Sequence, residues 1–79
     1  MKLDNLIREY EDKVLSMDII IDINTKAIRG LRKISLDTKD YLNRTAPLVE
    51  NRKIAESKRQ SYIQIIIDLK DLIVLDTKY

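Results

Sequence analysis

Apolar side chains recur in one unbroken seven-residue frame from Leu3 to Leu42, and this frame restricts the chain to helical folds. Fourteen of the eighteen positions in columns a, d and g are apolar, against four of the other twenty-two. A strand or a loop does not produce this contrast, so the stretch is predicted to be a long amphipathic helix. Column a holds Ile7, Val14, Ile21, Ile28, Ser35 and Leu42; column d holds Leu3, Tyr10, Met17, Asn24, Leu31 and Thr38; column g holds Leu6, Lys13, Ile20, Ala27, Ile34 and Tyr41.

The composition predicts an all-α protein that depends on association rather than on chemical cross-links. The chain has 79 residues, one glycine, one proline, and neither cysteine nor histidine. Disulfide bonds, Cys or His metal sites and nucleophiles paired with Cys or His are therefore excluded. A single domain of this size, residues 1–79, has a marginal core, so a partner is the remaining means of support.

Catalytic and metal-binding constellations are not visible in the sequence. Two carboxylate pairs, Asp18 with Asp22 and Asp68 with Asp71, have the spacing that puts both groups on one helix face. Metal-binding bundles add Glu and His ligands to such pairs, and histidine is absent here. We therefore expect no metal, no cofactor, no small-molecule substrate and no enzymatic activity.

The sequence carries no sign of export or membrane insertion. Acidic residues crowd the first dozen positions, where a signal peptide would be cationic and then apolar. The longest uncharged run, residues 60–67, is far shorter than the about 20 residues that span a bilayer. A soluble, cytoplasmic protein is the expectation. Thirteen isoleucines and nine lysines against one glycine resemble the bias of small helical proteins from phages and mobile elements.

Gly30 is an ambiguous position in the first helix. It follows Lys26 and Arg29, as a glycine that closes a helix would. The seven-residue frame, however, crosses Gly30 without a change of phase, so we predict that the helix continues. The alternative is a short separate helix over about 36–44.

Pro47 gives the firmer break. Proline lacks a backbone donor and clashes with the preceding turn, but it suits the first turn of a new helix. Thr45 is then the predicted helix cap. We therefore predict helices over about 3–44 and about 47–76, joined by a bend at 44–47.

Two such helices make an antiparallel hairpin in which the first helix is the longer. Counting the same number of residues in both directions from a bend near Ala46 places Gly30 beside Tyr62 and Ile20 beside Leu72. The first dozen residues of the first helix then overhang, because they extend beyond the end of the second helix. A second copy would cover the overhang and the additional apolar lines, giving a dimer that forms a four-helix bundle or coiled-coil assembly. The predicted self-association residues are Leu3, Leu6, Ile7, Tyr10, Leu15, Ile19, Ile23, Ile63, Ile67 and Val74.

Charge is distributed unevenly along the chain. Residues 26–59 carry ten basic and four acidic groups, whereas the remaining residues carry five basic and nine acidic groups. This makes the predicted bend basic and allows an alternative function, an accessory protein that binds nucleic acid. Neither a recognition-helix unit nor interleaved aromatic residues accompany the basic groups. The predicted patch comprises Arg44, Arg52, Lys53, Lys58 and Arg59.

The function expected from these features is protein–protein interaction. The chain would act as an adaptor, or as an inhibitor or regulator of a larger protein, by burying an apolar helix face. Its expected partners are a second copy and another protein. Asn24, a polar residue in column d, is interpreted as fixing the register of packed helices; the alternative is a place at the edge of the packed face.

Overall fold

Two helices account for nearly all of the described chain. The computed structural model describes the backbone of residues 2–78 and the side chains of residues 2–75. Helix α1 runs over Lys2–Ile34 and helix α2 over Thr38–Lys78. They pack against each other as a hairpin 64 Å long and 14 by 12 Å across. The all-α prediction and the helical hairpin are confirmed.

The seam between the helices follows the predicted columns a and d of α1. Ile7 and Asn24 are buried, and the other a and d residues from Leu3 to Ser35 are partly buried. A seam with the same seven-residue spacing runs along α2. Its members are Tyr41, Leu48, Ala55, Tyr62 and Leu69 in one column and Thr45, Arg52, Arg59, Ile66 and Ile73 in the other. Two helices share this seam, so the core is only one side-chain layer thick.

The turn lies at residues 35–37, so the predicted first helix over about 3–44 is wrong. The Asp37 side chain caps α2, because its Oδ1 accepts the N–H of Asp40 at 2.8 Å. Oδ2 of Asp40 in turn accepts the N–H of Leu36 at 3.0 Å. The first bond satisfies an amide group that the first turn of a helix otherwise leaves unpaired, and the second ties the residue before the cap to that turn. The Asp-x-x-Asp spacing therefore starts a helix where the apolar frame suggested continuation.

Pro47 lies inside α2, and the predicted bend at 44–47 is wrong. Proline cannot donate to the carbonyl of Asn43, four residues earlier, but both residues are exposed and water can hydrate that carbonyl. Thr45, the predicted cap, is buried, and its hydroxyl donates to the Tyr41 carbonyl at 2.8 Å. The α2 seam keeps its phase on both sides of the proline.

The earlier turn shifts the register of the hairpin. Ile20 lies beside Ile54 instead of Leu72. Tyr62 lies against Tyr10, with the ring centroids 5.9 Å apart, instead of beside Gly30. The predicted pairings are therefore wrong, since each depended on a bend near Ala46.

The predicted overhang of the first helix is also wrong. Ile7 is buried and Leu3 and Tyr10 are partly buried, because α2 covers them. Helix α2 has 41 residues against 33 in α1, so the end of α2 projects beyond the start of α1.

Replacing Gly30 by alanine is expected to raise the free energy of unfolding by about 1 kcal/mol. Helix α1 continues through Gly30, as predicted, and a Cβ placed there meets no atom within 4 Å. Alanine therefore gains helix propensity without a clash. Urea denaturation followed by far-UV circular dichroism measures the change. Ala27→Gly, one turn earlier in the same helix, should shift stability the opposite way; a loss of stability in Gly30→Ala would contradict the open surroundings.

Candidate interaction surfaces

The hairpin leaves many large apolar side chains exposed. Among residues 2–75, thirteen large apolar side chains are exposed, whereas Ile7, Ala55 and Leu69 are the buried apolar residues. Contiguous apolar surface on a soluble chain commonly marks a site of contact with another molecule. Four of these exposed side chains line two grooves, one on each side of the seam: Leu15 and Ile67 in the first, and Ile20 and Ile54 in the second.

The first groove, which we call the Leu15 groove, lies toward the open end of the hairpin. Leu15 and Ile67 stand on its two walls with 60% and 46% of their surface exposed. The groove has a volume of about 430 Å³. It is lined by Glu11, Val14, Leu15, Ile63, Ile66, Ile67 and Lys70.

An ion pair closes the Leu15 groove on the side of the turn. Asp18 lies seven residues after the lining residue Glu11 on α1, and Arg59 lies seven residues before the lining residue Ile66 on α2. Both are therefore two helical turns closer to the turn of the hairpin. Nε of Arg59 donates to Oδ1 of Asp18 at 2.5 Å, joining the two helices across the seam. The apolar part of this side of the hairpin is therefore short.

The predicted self-association residues do not form one surface in the hairpin; they lie in several different places. Ile19 and Ile23 are each 60% exposed and continue the line of Leu15 around the outer side of α1. Val74 is 54% exposed, seven residues beyond Ile67. Leu15, Ile63 and Ile67 come together in one groove, whereas α2 covers the predicted overhang residues Leu3, Ile7 and Tyr10. Leu6 belongs to the opposite side.

The second groove opens on the opposite side of the seam. Ile20 is five residues from Leu15, which is about 140° of helix rotation. The groove has a volume of about 220 Å³. Its lining consists of Met17, Ile20, Asn24, Asn51, Ile54, Ala55 and Lys58.

Seven-residue spacing extends this groove into a face that runs the length of the hairpin. Leu6 and Ile34 lie fourteen residues on either side of Ile20, in column g, and they are 37% and 63% exposed. On α2, Leu72 is 51% exposed, twenty-one residues after Asn51. We call this surface, with the second groove at its centre, the Ile20 face. The sequence analysis did not predict this face, because it assigned column g to the core of the hairpin. The regular seven-residue spacing of apolar residues in column g was the signal that could have identified it.

Asn24 is buried in the seam, with 8% of its surface exposed, rather than at the edge of the packed face. Nδ2 of Asn24 donates to the Ile20 carbonyl at 2.8 Å, within its own helix. This bond gives the amide nitrogen an acceptor without a partner across the seam. A role in register stays a prediction.

The predicted basic patch does not lie at the turn. Fifteen residues separate Arg44 from Arg59, which is about 22 Å along a helix. Nε of Arg44 lies 3.0 Å from Asp40 Oδ1, and Nε of Arg52 lies 3.8 Å from Glu56 Oε1. With Arg59 paired to Asp18, three of the five predicted cations have acidic neighbours. Lys53 and Lys58 are exposed, and Lys58 lines the second groove.

The first helical turn of α2 contains a carboxyl group with a perturbed pKa. The N–H of Leu36, and then the Arg44 guanidinium, lower the pKa of Asp40 below its ordinary value of 3.8. A lowered folded-state pKa means that the carboxylate stabilises the hairpin above the ordinary value. That stability is lost as the pH falls through the folded-state pKa.

Replacing Asp40 by asparagine is therefore expected to make the free energy of unfolding depend less steeply on pH under acidic conditions. Between about pH 4 and pH 2, the wild-type free energy of unfolding should fall more steeply than that of Asp40→Asn. Urea titrations across this range measure both slopes. Arg44→Gln keeps the Leu36 hydrogen bond and should give an intermediate slope; identical slopes in all three proteins would contradict the assignment.

Comparison with known proteins provides no function to carry over. The sequence matches no family model, no curated protein and no solved structure. Within residues 2–78, neither helix is long and apolar enough to cross a membrane. Among residues 2–75, whose side chains the structure describes, no three acidic side chains form a cluster that could hold a metal ion. The two apolar surfaces are therefore the basis for a functional proposal.

Proposed function

We propose that this chain is a small interaction module that binds a helix of a larger protein in the Leu15 groove. It would act as an adaptor, or as an inhibitor or regulator of that protein. The observation that carries the proposal is the exposure of Leu15 and Ile67 on facing walls of one apolar groove. No chemistry is required, because burial of apolar surface contributes about 25 cal/mol per Å².

The shape of the Leu15 groove favours a helix as its occupant. Two packed helices present parallel ridges, and the side chains of a third helix fit between them. An amphipathic helix supplies anchors at i, i+3, i+4 and i+7 for such a groove. Because the Asp18–Arg59 ion pair closes one end, we expect a short apolar segment rather than a helix as long as the hairpin.

Charge around the groove can orient the partner. Glu11 lines the groove from α1 and Lys70 lines it from α2. A partner helix with a basic residue toward Glu11 and an acidic residue toward Lys70 would bind in one direction. Ile19 and Ile23, exposed beyond Leu15, extend the contact around α1.

Photo-crosslinking in the source cells tests this proposal. A crosslinking amino acid at Leu15 should give a discrete adduct heavier than two copies of the 9.3 kDa chain. Ile67→Asp, on the facing wall, should abolish the adduct, since it places a charge in the groove. The same crosslinker at Ser57, an exposed polar position on α2, is the control and should give none. Absence of an adduct at Leu15, or an adduct of two copies only, would refute the proposal.

Nucleic-acid binding is the less supported alternative. The predicted cations are spread along α2, and three of them have acidic neighbours. Phosphate contacts would make any such binding weaken steeply as salt rises, whereas apolar association would not. A salt titration separates the two functions.

A further inference from the structure

We propose that the Ile20 face binds a second copy of this chain in antiparallel orientation, giving a four-helix bundle centred on Ile20 and Ile54. This inference goes beyond the proposed function, which uses the opposite side of the hairpin. Both interactions can occur together, because the two grooves lie on opposite sides of the seam.

The width of the apolar stripe on α1 indicates a second neighbour. Columns a and d of α1 are covered by α2. Column g is apolar at Leu6, Ile20, Ala27 and Ile34, with only Lys13 breaking the series before the turn, and α2 leaves most of it exposed. A helix in a four-helix bundle contacts two neighbours and needs this wider stripe.

The spacing of the exposed side chains fits a two-fold axis at the centre of the hairpin. Leu6 and Ile34 are each fourteen residues from Ile20, so an antiparallel copy centred there places each Leu6 over the partner's Ile34. Leu36 and Leu72 are each eighteen residues from Ile54, so the same axis brings the projecting end of α2 to the partner's turn. Leu36 is 87% exposed in the single hairpin.

Charge decides between the antiparallel and the parallel arrangement. The half of the hairpin near the turn, residues 20–54, has eight basic and four acidic groups. The open half, the remaining residues, has seven basic and nine acidic groups. An antiparallel pair puts the basic half of each copy on the acidic half of the other, whereas a parallel pair stacks the two basic halves.

The size of the Ile20 face suits a stable dimer. A face 64 Å long and 14 Å wide covers about 900 Å², and a standard protein interface buries about 800 Å² on each partner. On the Leu15 side the Asp18–Arg59 ion pair interrupts the apolar surface between the open end and the turn.

Single-cysteine variants test the arrangement, since the chain has no cysteine of its own. Ile54→Cys lies near the proposed axis and should join two copies through a symmetric disulfide. Leu36→Cys alone should not, but Leu36→Cys refolded together with Leu72→Cys should give a mixed disulfide. Ser57→Cys, on the outer side of α2, measures random collision. The expected disulfides should exceed it about tenfold, because the dimer raises the local thiol concentration.

Light scattering on a sizing column completes the test. The wild-type chain should have twice the 9.3 kDa chain mass at low and at high salt. Leu15→Asp with Ile67→Asp should keep that mass, so failure of the Leu15 groove proposal and failure of this one are distinguishable. A mass of one chain at every concentration would overturn the proposal. Efficient Leu36→Cys self-linking would overturn the antiparallel orientation, and Ile20→Cys repeats the central test if Ile54→Cys loses helix content.

Discussion

Replacing Pro47 by alanine is expected to raise the free energy of unfolding by about 2 kcal/mol. Proline in a helix interior costs about 3 kcal/mol relative to alanine, and Pro47 is the tenth residue of a continuous α2. Alanine also makes the unfolded chain more flexible, which reduces the gain in the free energy of unfolding by up to about 1 kcal/mol. Thermal and urea denaturation, followed by far-UV circular dichroism at one protein concentration, measure the net gain.

Pro47→Gly is the matched control for this prediction. Glycine restores the backbone donor and removes the ring, but it has low helix propensity, so its gain should be smaller by about 1 kcal/mol. If alanine instead reduced stability, Pro47 would occupy the first turn of a helix, as the sequence alone suggests, and the turn at 35–37 would be wrong.

Truncating Leu69 to alanine is expected to lower the free energy of unfolding by about 3 kcal/mol. Leu69 is one of three buried apolar residues among residues 2–75, with 9% of its surface exposed, and it packs in the seam toward the open end of the hairpin. Alanine loses the transfer energy of the side chain and leaves a cavity that two helices can only partly close.

Leu15→Ala is the control for Leu69→Ala, because it removes the same atoms from an exposed position. The same atoms are removed from a side chain that is 60% exposed, so the loss should be well below 1 kcal/mol. Urea denaturation of both variants at one concentration gives the difference. Equal losses would show that α2 does not pack in this register.

The seven-residue frame predicted α1 well because a helix repeats its surface regularly. Columns a and d, assigned from the sequence, form the observed seam from Leu3 to Ser35. Continuity through Gly30 is confirmed too, since no change of phase accompanies that residue. Periodicity reports which side of a helix is apolar; here α2 covers columns a and d of that side and leaves most of column g exposed.

The position of the turn could not be read from periodicity. Columns a and d continue in phase to Leu42, while the side-chain bonds of Asp37 and Asp40 end the run of helix before them. The prediction relied on Pro47 rather than on this short polar signal. It therefore placed the turn about nine residues too far along the chain. Each residue of error at the turn moves the pairing by two, so Ile20 was paired with Leu72 instead of Ile54. The candidate surfaces changed with it, because exposure depends on which residues the other helix covers.

The single-layer core has a consequence for how long this protein would persist in a cell. A hairpin with so few buried apolar residues holds little folding free energy of its own. Any molecule that binds only the folded form adds to it, by about 2.7 kcal/mol when present at a hundred times its dissociation constant. Copies without a partner would unfold more often and be degraded by proteases first. The amount of this protein would therefore follow the amount of whatever it binds, without any separate control of its synthesis.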